Sequence, residues 1–153
     1  MSVVEASFNI AAPPQAVWDV VMDPRRLRDW VTIHRSVSDF SVGAPHEGDR
    51  MTQRIALRGA DFTVRWVLEE CEAPRHGRWR GQGPARSVAE IDYLLEETVD
   101  GTLFTYRNEF RAPFGPLGAA AGRLLIGAVP EREARRSLER LRALVEPHRR
   151  DIR

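Results

Sequence analysis

The stretch Phe104-Thr105-Tyr106-Arg107-Asn108-Glu109-Phe110 sets an aromatic or amide side chain at every second position and Thr, Arg or Glu between them. Successive side chains of a strand point to opposite faces, so this period of two predicts a strand with one dry and one wet face. The same alternation recurs upstream in Ala89-Ile91-Tyr93-Leu95, Phe62-Val64-Trp66-Leu68, Met51-Gln53-Ile55-Leu57 and, at the amino terminus, Val4-Ala6-Phe8-Ile10. The intervening positions hold Arg54, Arg58, Arg65, Glu69, Glu90, Asp92, Arg107, Glu109 and Arg111, which assigns the wet side. Turn residues at 43–49, 58–59, 74–77, 81–84 and 100–101 separate the strands at the spacing of an antiparallel meander. Asp100-Gly101 is expected to form the centre of the last hairpin turn, both residues being able to take positive φ.

Outward from this sheet, the period changes twice. Ala11-Ala12-Pro13-Pro14 ends the first strand and opens a helix with Val17, Trp18, Val21 and Met22 on its buried side. Asp23-Pro24 repeats the device and opens a second short helix that carries Leu27 and ends near Trp30. Beyond Pro113, Leu117, Ala121, Leu124, Ala128, Leu138, Leu141 and Val145 recur every three to four residues, which predicts a long carboxy-terminal helix kinked at Pro130. The predicted fold is therefore α+β: a curved antiparallel sheet of about seven strands wrapped around the last helix, with two short helices between strands one and two.

Composition narrows the function classes. The chain has 153 residues, 42% hydrophobic and 29% charged, as expected for one domain spanning 1–153 with a core of its own. A net charge of +1, with Arg interleaved among Asp and Glu, makes no case for a nucleic-acid partner. Cys71 is the only cysteine, which excludes an internal disulfide and points to the cytoplasm. The longest apolar-rich stretch, around Pro116 to Val129, contains Arg123 and is too short to span a bilayer, so no integral membrane segment or targeting peptide is expected. No two histidines have metal-ligand spacing, and neither a nucleophile elbow nor a phosphate-cradling glycine loop is present; no metal and no cofactor are expected. The acidic neighbours of Cys71 disfavour its thiolate.

Function turns on whether the interior is filled. The opening of the last helix is rich in Gly and Ala, while the strands opposite carry bulky side chains. Small helical residues admit either close packing or an apolar pocket with a few orienting polar groups. Gln53 and Asn108 lie on the dry phase of their strands, where each needs a neighbour, a water or a ligand as partner. Tyr93 and Tyr106 offer hydroxyls, and Phe62, Trp66, Trp79, Phe104 and Phe110 offer walls, although aromatics on a dry face are more often core packing. Leu117, Ala121 and Leu125 complete the candidate set from the helix side. His34, near the start of a strand with ambiguous phase, is the one candidate acid or base, against a surface role. His46 and His76 fall in turns and His148 at the terminus; Glu90 and Asp92 read as solubilising.

The proline-opened helix with Val17-Trp18, the Asp23-Pro24 to Trp30 segment, the strand run from Gly48-Asp49-Arg50 and the Phe114-Gly115 to Leu125 opening of the last helix resemble the START-like (SRPBCC) superfamily, in its polyketide cyclase/dehydrase and lipid-transport branch. The resemblance spans nearly the whole chain. It implies a helix-grip fold whose cavity binds lipids, polyketides or other small hydrophobic ligands, and it assigns no catalytic residue. Three readings follow: a binder of a small apolar organic ligand, a cyclase, aromatase or dehydratase using the same cavity, and a protein-interaction module with a filled interior.

Overall fold

The computed structural model describes residues 2–57, 59–111 and 131–147. Strand β1 (Ser2–Ile10) is followed by α1 (Pro14–Val21), a 3-10 turn (Pro24–Arg26) and α2 (Leu27–Trp30). Strands β2 (His34–Ser38), β3 (Arg50–Leu57), β4 (Ala60–Glu72), β5 (His76–Gln82), β6 (Val88–Thr98) and β7 (Gly101–Arg111) then run as a meander, and α3 (Glu131–Val145) follows. All six pairings are antiparallel, in the order β1-β7-β6-β5-β4-β3-β2. This is the α+β arrangement that the alternation predicts, and the helix-grip fold that the resemblance implies.

The order explains the two short helices. β1 lies at one edge of the sheet and β2 at the other, so the chain must cross the open side of the curl between them. Pro14 supplies a preset φ at the first helical position of α1, and Val17, Trp18, Val20 and Val21 bury its inner side. The Asp23 carboxylate then accepts the Arg25 amide at 3.0 Å, satisfying an otherwise orphaned donor where the next helical turn begins. In α3, Ala134, Ser137, Leu138 and Leu141 are buried, a stripe with helical period that packs on β1 and α2. Thr32, just after α2, ties the two helices together: its amide donates to Ser137 Oγ at 3.1 Å and its hydroxyl to Glu133 at 2.6 Å.

The last hairpin differs from expectation by one residue. Thr98 pairs with Gly101, so Val99-Asp100 form the turn, and neither takes positive φ. Gly101 is the first residue of β7 instead. A Cβ there would sit 2.2 Å from the Ile10 carbonyl oxygen, so its glycine serves the close approach of β1. The Gly/Ala-rich opening of the last helix, with Leu117, Ala121 and Leu125, the Pro130 kink, Arg58 and His148 lie outside the described residues.

Two side chains on the wet face are not solvated. Asp92 is buried, 5% exposed, because His76 Nε2 at 2.8 Å and Arg78 Nε at 2.9 Å both reach Oδ1. His76 stands at the start of β5 rather than in a turn, with Glu70 on its other ring nitrogen at 3.4 Å. Glu109 is covered similarly by Arg107 and Arg111. Neighbours across β5 and β6 at Asp92, and along β7 itself at Glu109, thus form a charge ladder dense enough to bury carboxylates on the convex face.

Candidate ligand-binding site

The concave face and the helices above it enclose a cavity of about 90 Å³. The pleat of the sheet decides what reaches it: Met51, Gln53 and Leu57 from β3, Phe62, Val64 and Trp66 from β4, Trp79 from β5, Ile91 and Tyr93 from β6, and Tyr106, Asn108 and Phe110 from β7. From above come Leu27, Trp30, Ala134, Ser137 and Leu138. No charged side chain stands among these described walls.

Of the residues singled out in the sequence, Gln53, Phe62, Trp66, Trp79, Tyr93, Tyr106, Asn108 and Phe110 meet at this cavity. Phe104 does not line it. It is fully buried deeper in the core, its ring 5.7 Å from that of Tyr93. Tyr93 in turn meets Trp30 edge-on at 5.9 Å and Tyr106 at 6.2 Å, so one aromatic series runs from α2 to β7. Burial raises the pKa of both tyrosines, with Tyr106 adding to the effect at Tyr93 and the Asn108 hydrogen bond opposing it at Tyr106. Both phenols stay protonated.

Gln53 forms a directed chain through the wall. The Trp66 indole N–H donates to Gln53 Oε1 at 3.0 Å, and Gln53 Nε2 lies 2.9 Å from His34 Nδ1. An indole can only donate, so the amide must turn its oxygen to Trp66 and its nitrogen to His34. His34 Nδ1 therefore accepts, and the imidazole carries its proton on Nε2. Burial first, and then the Arg28 charge, lower the His34 pKa below its ordinary value, consistent with a neutral ring. The phase of His34 was illegible in the sequence because β2 changes register between His34 and Ser36.

Trp66 fits because its neighbour lacks a side chain. Gly81 pairs with Trp66 across β4 and β5, and a Cβ there would lie 2.6 Å from the indole ring and 2.7 Å from Val64. Ser87 and Ser137 also line the cavity with partners in place: Ser87 donates to the Pro84 carbonyl at 2.8 Å, and Ser137 accepts from Thr32. Asn108 Nδ2 donates to the Tyr106 hydroxyl at 3.0 Å. Sequence reasoning missed Leu27, Trp30 and Ser137, since nothing local tells a core helix face from a cavity roof.

A second hollow of about 220 Å³ lies between the α1–α2 junction and the 40–50 segment and shares Trp79 with the first. Its walls include Asp23 and Asp49, but these carboxylates are occupied by Arg25 and His46 at 3.1 Å each. Cys71 donates to the Pro45 carbonyl at 3.4 Å. Burial, then the charges of Asp49 and Glu47, raise its pKa, so its thiolate is disfavoured by neighbours more distant in sequence than the expected ones.

Residues 1–146 match the family model described as polyketide cyclase/dehydrase and lipid transport. The chain belongs to this family. It is 28% identical over 131 residues to the uncharacterized protein Rv1546 of Mycobacterium tuberculosis, covering 84% of this chain and 92% of that one. It is 19% identical over 141 residues to a protein of the same organism named toxin Rv0910, covering 91% and 94%. The crystal structure of TTHA0849 from Thermus thermophilus matches with a TM-score of 0.73 at 18% identity, over 94% of this chain and 96% of that one, a likeness of fold. Membership supports a hydrophobic-ligand-binding domain, and no described helix is long and apolar enough to cross a membrane.

Proposed function

We propose that this polyketide cyclase/dehydrase-family chain binds a small, neutral, apolar molecule between the concave sheet and the α2–α3 roof. The observation that carries the reading is a cavity whose described walls are uncharged and mostly apolar, with Gln53, Ser87 and Ser137 already holding partners. Binding there is driven by removing apolar surface from water, at about 25 cal/mol per Å². The cavity volume of about 90 Å³ is well below the ~300–1000 Å³ of sites for drug-sized ligands. A compact ring or short branched chain therefore suits it better than an extended lipid or a full polyketide, either of which would require the walls to part.

The cyclase or dehydratase reading requires a proton-moving group at the cavity. The described walls offer two phenols whose pKa values burial raises, and His34 stands behind Gln53, so the geometry favours binding over turnover. We place the module in the cytoplasm on the ground of its single cysteine. Titration of the purified chain with compact neutral aromatics, followed by tryptophan fluorescence, tests the reading. A saturable response is expected, and a flat response across chemically varied molecules would contradict it.

A further inference from the structure

Resting on the cavity being a small-molecule site, we propose that its occupant presents a hydrogen-bond donor, such as a hydroxyl, to Asn108 and an acceptor oxygen to Trp30. Both side chains line the cavity and both are more than nine-tenths buried, at 8% and 1% exposure. Asn108 Oδ1 and Trp30 Nε1 are the two buried side-chain polar atoms with no hydrogen-bond partner among the described residues. Buried polar atoms in folded proteins nearly always have partners, so two orphans on side chains that line one cavity, Asn108 from the sheet and Trp30 from the roof, mark positions that something else completes.

The two orphans differ in kind, which is what specifies the ligand. Asn108 spends one amide hydrogen on the Tyr106 hydroxyl, and its carbonyl oxygen, which accepts, has no partner among the described residues. The Trp30 indole can only donate. Tyr93 is in ring contact with Trp30 and with Tyr106, the partner of Asn108, and offers an apolar surface for the body of the molecule. With no charge among the described walls, an ionised ligand would lose its hydration without compensation, so the molecule is neutral. The class is thus a compact oxygenated hydrocarbon, a phenol or hydroxy-ether in type.

Phenol, anisole and toluene, benzenes with a hydroxyl, a methoxy and a methyl substituent, separate the two contacts. Dissociation constants for the full chain are read from amide shifts in NMR titrations. Phenol is expected to bind about tenfold more tightly than toluene, with anisole between them. Asn108→Leu should reduce phenol to the level of anisole, and Trp30→Phe should reduce anisole to the level of toluene. Toluene binding as tightly as phenol, or contrasts unchanged in the variants, overturns the inference while leaving the cavity reading intact. Failure of all three to bind overturns both. The wild-type ranking decides even where a variant does not fold.

Discussion

Gln53 Oε1 accepts the Trp66 indole N–H at 3.0 Å, and this one bond orients the amide so that its nitrogen donates to His34 Nδ1, 2.9 Å away. The chain connects the cavity wall to the edge strand β2. Gln53→Leu should leave the buried indole N–H without its acceptor and cost about 1–3 kcal/mol, measured as a lower urea midpoint at unchanged slope.

The His34 chain also makes stability depend on pH. Its folded pKa lies below the ordinary 6.5, so the unfolded chain binds the proton more readily. The stabilisation is complete above pH 6.5 and is lost as the pH falls through the folded value. Thermal melts should show a decline below pH 6.5 that His34→Asn flattens; parallel profiles for the two proteins would refute the assignment.

Gly81→Ala should disturb the cavity without touching its polar groups. The new methyl lies 2.6 Å from the Trp66 ring, so the indole must shift. Overpacking of this kind costs about 1–3 kcal/mol, and the Trp66 emission maximum should move with it.

Asp92 accepts from both His76 and Arg78 on the convex face and is buried by them. Asp92→Asn should cost about 1.5–3 kcal/mol, since it removes hydrogen bonds to a charged group. Calorimetric melting of the variant reads this directly, and ligand affinity should stay unchanged because Asp92 does not line the cavity.

Much of this architecture was legible in the sequence. The period of two along Phe104–Phe110 identified β7 and the face that Tyr106, Asn108 and Phe110 share, because a one-residue slip would turn all three outward. Polar residues on that dry phase, Gln53 and Asn108, were informative for the same reason: burial obliges them to find partners. Four features escaped. His34 lies beside a register shift, which scrambles alternation. Asp92 looks solvated because its neighbours along the chain do not reveal that His76 and Arg78 arrive from the adjacent strand. Gly101 looks like a turn residue because glycine serves φ and close approach with the same letter. The roof residues Trp30 and Ser137 were invisible as a site because tertiary packing alone sets them over the sheet.

Three of the four tryptophans, Trp30, Trp66 and Trp79, line the cavity, and Trp18 does not. The most direct test is therefore a toluene titration of the nitrogen-15-labelled chain, following the four indole N–H resonances. The account predicts saturable shifts at Trp30, Trp66 and Trp79 with Trp18 unmoved. Four resonances that stay fixed, or that drift together without saturating, would contradict it.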